Sequence, residues 1–136
     1  MDLQLAGKVA LVTGASVGLG RAIAALLAEE GCRLAIVARR TALLEQLAGE
    51  VAAAGRERPL VVTEDVTAPG AAARIRAQVE ARFGQLDILV NNAGGSRPLR
   101  GLGSEEEWAE AMALNFDAAR RIAHQFVDGM RARGFG

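Results

Sequence analysis

The chain has 136 residues, 51% of them hydrophobic, and its sixteen basic and sixteen acidic side chains cancel. That length fits one domain, 1–136, with a real core, and the balanced charge sets up no field that would draw in nucleic acid or a membrane surface. One cysteine, Cys32, and one histidine, His124, exclude both a disulfide framework and a Cys/His zinc site within one chain, so no metal is expected.

The first eight residues carry neither the basic nor the apolar stretch of a secretory signal, and no apolar run approaches a membrane span. A cytoplasmic protein is the expectation. All the basic residues are arginine except Lys8, a compositional bias.

In chain order, two kinds of segment alternate. Val9–Thr13 is a short, continuously apolar run, as expected of a strand covered on both faces of a parallel sheet. Leu19, Ile23, Leu26 and Leu27 then form a helical stripe closed by Gly31. A second strand is expected at Leu34–Ala38, and a second helix on Leu43, Leu44, Leu47 and Val51, closed by Gly55. A third strand follows at Leu60–Thr63, with a helix on Ile75, Val79 and Phe83 closed by Gly84. The fourth strand is placed at Leu86–Asn91.

One long helix ends the chain. Ser104 and Glu107 match a capping box, and Trp108, Met112, Asn115, Ala119, Ile122, Phe126 and Met130 form one stripe that ends near Arg131–Gly134. Alternation of strand and helix implies an α/β fold with a parallel sheet and right-handed crossovers.

The turn Thr13-Gly14-Ala15-Ser16-Val17-Gly18-Leu19-Gly20 leaves the first strand and opens the first helix. Gly14 permits the tight turn. Gly18 leaves room for backbone to approach a pyrophosphate, and Gly20 lets the helix lie close to the sheet. The helix start then offers unpaired N–H groups and a positive dipole end to phosphate. Asp65-Val66 and Asn91-Asn92-Ala93-Gly94 stand at the carboxyl ends of the third and fourth strands, where ligands of open α/β sheets bind. On the residues alone, Asn91 and Asn92 serve either turn backbone or a ligand, and Asp65 either caps a loop or meets a ligand. Asn115 sits in an apolar stripe, where a polar group needs partners. Gly94–Pro98 either lines a cleft or is only a loop.

The T-G-x-x-x-G-x-G spacing, the N-N-A-G segment, Asp65-Val66 and Leu114-Asn115-Phe116 occur together in an order and spacing similar to the short-chain dehydrogenase/reductase family in its classical form. The resemblance runs from about Leu5 to Gly136. It implies a Rossmann-type doubly wound parallel sheet and an oxidoreductase that transfers hydride between a nicotinamide cofactor and a small carbonyl or alcohol substrate. It assigns cofactor contacts to the glycine-rich turn (Thr13, Gly14, Ser16, Val17, Gly18, Leu19, Gly20), to Asp65 and Val66, and to Asn91–Gly94. Asn115 takes the place of the asparagine in the family's Asn-Ser-Tyr-Lys catalytic set, with a proton-relay role. The family also implies a homo-oligomer for the full-length form.

Cofactor choice is read at the end of the second strand. An NAD site usually has an acid on the ribose hydroxyls roughly 20 residues after the glycine turn. Here the chain reads Val37-Ala38-Arg39-Arg40. Arginine can fork onto a 2′-phosphate, so Arg39, then Arg40, favours NADP(H) over NAD(H). Val17 departs from the basic residue that many NADP-dependent relatives carry there.

The family's proton transfer uses a tyrosine whose pKa, near 10 when free, is lowered by a lysine four residues later. This chain has no tyrosine, and its lysine precedes the first strand. The expectation is therefore a sheet truncated after the fourth strand and its long helix, inactive alone. A binding-only module and a fragment without a formed pocket are the competing readings.

Overall fold

The computed structural model describes residues 2–136. Four parallel strands form one sheet in the order β3-β2-β1-β4: β1 Val9–Thr13, β2 Arg33–Ala38, β3 Leu60–Thr63 and β4 Ile88–Val90. The order reverses between β2 and β4 around β1, the doubly wound Rossmann arrangement expected from the sequence.

Strand alternation sorts the core into two layers. Ala10, Val12, Leu34, Ile36 and Ala38 face α1 (Gly18–Glu29) and α2 (Thr41–Ala53). Val9, Leu11, Ala35 and Val37 face α3 (Ala71–Phe83) and α5 (Ala118–Arg133), against Ile75, Val79, Ile122 and Phe126. Both faces are covered, which is why the strands read as continuous apolar runs.

Three expectations are corrected. The buried face of α1 is not the leucine stripe but Gly20, Ala24 and Ala28, with Ile23 and Leu27 half-buried; Leu19 and Leu26 are 71% and 60% exposed. Small residues let this helix approach the sheet closely, so shape overrides the preference for large apolar side chains. β4 is shorter than Leu86–Asn91, because Leu86 and Asp87 precede the ladder and Asn91 leaves it. Asp87 is buried; its N–H donates to the Val9 carbonyl at 2.9 Å and its Oδ2 accepts the Val9 N–H at 2.8 Å, so a side chain supplies one of the two bonds to Val9 there.

The terminal helix is also divided. α4 (Glu105–Met112) opens with the expected capping box of Ser104 and Glu107, and a π turn, Ala113–Asp117, separates it from α5. One stripe therefore does not run its whole length. Ala118, Ile122 and Phe126 are buried, whereas Trp108 and Met112 are about half exposed, and the Trp108 indole donates to the Leu102 carbonyl.

Candidate functional site

A cleft of about 980 Å³ opens at the carboxyl ends of the strands, in the volume range of small-molecule sites. The glycine-rich turn forms its floor. This turn is held from both sides: the Ala15 N–H donates to the Val37 carbonyl at 3.2 Å, and the Asn92 amide donates to the Thr13 and Gly14 carbonyls at 3.1 and 3.3 Å. Gly14 has φ +67°, and a Cβ there would meet Ala93 backbone at 3.0 Å. A Cβ on Gly20 would press into the Gly14 carbonyl oxygen and the Asn92 amide, so glycine is required for the helix to start this close to the sheet. Gly18, in contrast, has φ +60° and open space beside it.

The start of α1 is chemically free. Val17 precedes it without a side-chain cap, and its first turn holds no acid. Helix-start N–H groups therefore lack side-chain partners and face the cleft's side of the turn. The Ser16 hydroxyl lines the cleft, in a residue only 8% exposed, and has no hydrogen-bond partner among the described residues. Val17 and Leu19 add an exposed apolar rim. Together these groups suit an anion lying across the turn.

Arg39 and Arg40 line the same cleft at the exit of β2. Neither pairs with a carboxylate among the described residues, whereas Arg33, Arg58 and Arg74 do. Arg40 also precedes α2, whose start has no side-chain cap and no acid in its first turn. Asp65 and Val66 stand opposite, at the exit of β3. Asp65 Oδ1 accepts from the Thr67 hydroxyl at 2.7 Å and the Thr67 N–H at 2.9 Å. Those two bonds, aided by Arg39, hold its carboxyl below the usual carboxylate range. Thr67 also lines the cleft and escaped the sequence reading, although Asp-x-Thr is a recognisable side-chain turn pattern.

The exit of β4 is tied down. Thr13 is almost fully buried, and its hydroxyl accepts from the Asn92 and Ala93 N–H groups at 3.1 and 2.9 Å. The Asn91 amide donates to the Ala119 carbonyl at 3.2 Å. Asn115 and Gly95 exchange two bonds: Oδ1 accepts the Gly95 N–H at 2.9 Å and Nδ2 donates to the Gly95 carbonyl at 2.8 Å. Nδ2 also donates to the Ala111 carbonyl, one turn back in α4, at 3.0 Å. Asn92, Ala93, Gly94 and Gly95 thus form a wall of the cleft, continued by Ser96, Arg97 and Pro98. Thr13, Asn91 and Asn115 act behind that wall, on backbone, and do not line it. Cys32 and His124 lie outside the cleft; burial above all pushes the Cys32 thiol up, which suits an inert core residue.

Comparison with known proteins matches this architecture. The sequence profile for short chain dehydrogenases covers residues 8–136. The chain is 36% identical over 135 residues to a 3-oxoacyl-(acyl-carrier-protein) reductase of Vibrio cholerae, covering 98% of this chain and 54% of that protein. An L-sorbose reductase from Gluconobacter frateurii, solved with NADPH and L-sorbose, superposes with a TM-score of 0.92 at 39% identity, over 98% of this chain and 51% of that one. A metagenomic short-chain oxidoreductase solved with NADP gives 0.88 at 34% identity, over 96% of this chain and 60% of that one. The chain spans about half the length of the curated relatives it matches. With the glycine-rich turn, the strand order and the Asn-Asn-Ala-Gly wall all in place, the chain belongs to the short-chain dehydrogenase family.

Proposed function

We propose that this chain supplies the NADP(H)-binding part of an oxidoreductase that reduces a small carbonyl compound or oxidises the corresponding alcohol. The observation that carries the reading is the open, uncapped start of α1, with the free Ser16 hydroxyl beside it and Gly18 facing empty space. Backbone N–H groups there would hold the diphosphate. Arg39, and next Arg40, would hold the 2′-phosphate, for which both have free donors. Asp65 and Val66 would border the adenine, and Ala93 and Gly94 the nicotinamide side. The bound dinucleotide supplies the hydride; the residues of this chain bind it, orient it and fix the wall against which the substrate meets it. Binding of NADPH by the sorbose reductase and of NADP by the metagenomic enzyme supports this choice.

Asn115 is proposed as a positioning residue here, through its double bond to Gly95. These 136 residues contain no tyrosine, and the one lysine, Lys8, stands at the opposite end of β1 with its Nζ 3.7 Å from the Phe135 ring centroid. The chain on its own is therefore expected to bind cofactor without turnover, and the working enzyme to be a longer, oligomeric, cytoplasmic protein. No helix among the described residues is long and apolar enough to cross a membrane.

Titration of the purified chain with NADPH and NADH, followed by cofactor fluorescence, tests the reading. Tighter binding of NADPH is expected. Equal affinities would remove the role of Arg39, and failure to bind either would remove the cofactor site.

A further inference from the structure

The cleft is not uniform in charge along its length. Six charged side chains line it. Arg39 and Arg40 stand against Asp65 at the exits of β2 and β3, an excess of one positive charge. Glu107 and Glu110 stand against Arg97 beyond the exit of β4, an excess of one negative charge. Arg97 meets Glu110 at 3.4 Å, and both side chains are mostly exposed, at 86% and 69%. The Glu107 Oε2 accepts the Ser104 N–H at 2.6 Å in the capping box, a bond to a neutral group that leaves the carboxylate's charge in place. The exposed Ser96 side chain also lines this end, and Leu99 and Leu114 add apolar surface. None of these residues is used by the cofactor contacts proposed above.

We propose that the Arg97–Glu110 pair reads the substrate, and that the substrate is an uncharged carbonyl compound with hydroxyl groups on the carbons beside the carbonyl. This rests on the cofactor reading, in which the nicotinamide side lies at Ala93 and Gly94, just before Ser96 and Arg97 in the chain. A hydroxyl group both donates and accepts. Neighbouring hydroxyls can therefore accept from the Arg97 guanidinium and donate to the Glu110 carboxylate without separating the pair. A carboxylate or phosphate on the substrate can use Arg97 alone. It must displace Glu110 and then lie beside two carboxylates, which repel it. A purely aliphatic ketone takes water from both charges and returns no hydrogen bond to the carboxylate, which is unfavourable. The pair itself is exposed and therefore weak, so it yields readily to a ligand that satisfies both partners. The end at Arg39 and the end at Glu110 thus select by opposite rules: anions at one, neutral hydroxyls at the other.

Amide NMR spectra of the isotope-labelled 136-residue chain, saturated with NADPH, read this on titration with three four-carbon ketones: erythrulose, 2-butanone and 2-oxobutanoate. Erythrulose, the neutral hydroxyketone, should move the Ser96, Arg97 and Glu110 amides and bind about fivefold or more tightly than either of the others. Glu110→Gln should raise the affinity for 2-oxobutanoate by about fivefold. Arg97→Ala should remove the erythrulose advantage, and the remaining amide pattern reports that each variant is folded. Binding of 2-oxobutanoate or 2-butanone as tight as that of erythrulose would overturn the inference, and so would an absence of shifts at those amides with all three. In either case, shifts at Gly18 and Arg39 on adding NADPH leave the cofactor reading standing. A chain whose amides do not respond to NADPH overturns both.

Discussion

β1 and β4 leave the sheet side by side, yet their exits are built from opposite materials. The exit of β1 relies on what is missing: glycine side chains at 14, 18 and 20, and a capping side chain at the start of α1. The exit of β4 relies on what is present, since Asn91 and Asn92 replace backbone partners with side-chain amides. One exit is thereby left with free donors over open space, and the other becomes a fixed wall. The two depend on each other, because the Asn92 amide that rigidifies the wall also clamps the carbonyls of Thr13 and Gly14. Openness at the glycine-rich turn thus comes from rigidity in its neighbour.

Substitutions that break either exit rank by how much of this arrangement they disturb. Gly20→Ala should be the most severe. Its Cβ has nowhere to go but into the Gly14 carbonyl and the Asn92 amide, and the fixed backbone on one side cannot yield. A loss of about 3 kcal/mol or more is expected in urea unfolding. Asn92→Ala should come next. It leaves the Thr13 and Gly14 carbonyls short of a partner, for a cost of about 1–3 kcal/mol, with a matching loss of NADPH affinity as the glycine turn loosens. A variant that kept wild-type affinity would show that the two exits are independent.

Arg39→Ala sharpens the contrast from the other side. It removes a free cation from the cleft without touching the sheet, so stability should hold within about 0.5 kcal/mol while NADPH affinity falls about tenfold. The smallest effect concerns acid. The carboxyl of Asp65 is depressed when folded by its bonds to Thr67, so its stabilising contribution is complete above its unfolded pKa, about 3.9, and fades as pH drops through the lower folded value. Urea midpoints of wild type and Asp65→Ala should therefore differ slightly at neutral pH and converge in strong acid; a constant gap would assign the effect to something other than charge.

A further contrast lies at the sheet's edge. β1 is paired on both sides, whereas β4 has β1 alone as a strand neighbour and only partly buried side chains. An unpaired edge beside the exposed Trp108, Met112 and Phe116 should make the isolated chain associate at high concentration. Sedimentation showing a monomer throughout would count against this.

The strand positions and the glycine turn were legible in the sequence because their signals are local. A parallel strand covered on both faces must be apolar throughout, and a turn with φ above zero calls for glycine. The helix faces were less legible. Leu19 and Leu26 have the spacing of a buried stripe, but Gly20, Ala24 and Ala28 occupy that face. The burial of alanines is settled by interlayer distance, which no periodicity reports. Trp108 and Met112 misled for a related reason, since the π turn at Ala113–Asp117 shifts the phase between the two parts of the last helix.

The sequence by itself determined the order of elements, the place of the glycine-rich turn, and the two arginines at the exit of β2, because each follows from residue type and near-neighbour spacing. Only the tertiary structure decided which polar groups stay free. Thr13 and Asn92 lie far apart along the chain and become partners only when β4 is laid beside β1. Whether a hydroxyl or an amide is available to a ligand depends on what the fold brings within hydrogen-bond reach, and that is fixed by long-range pairing.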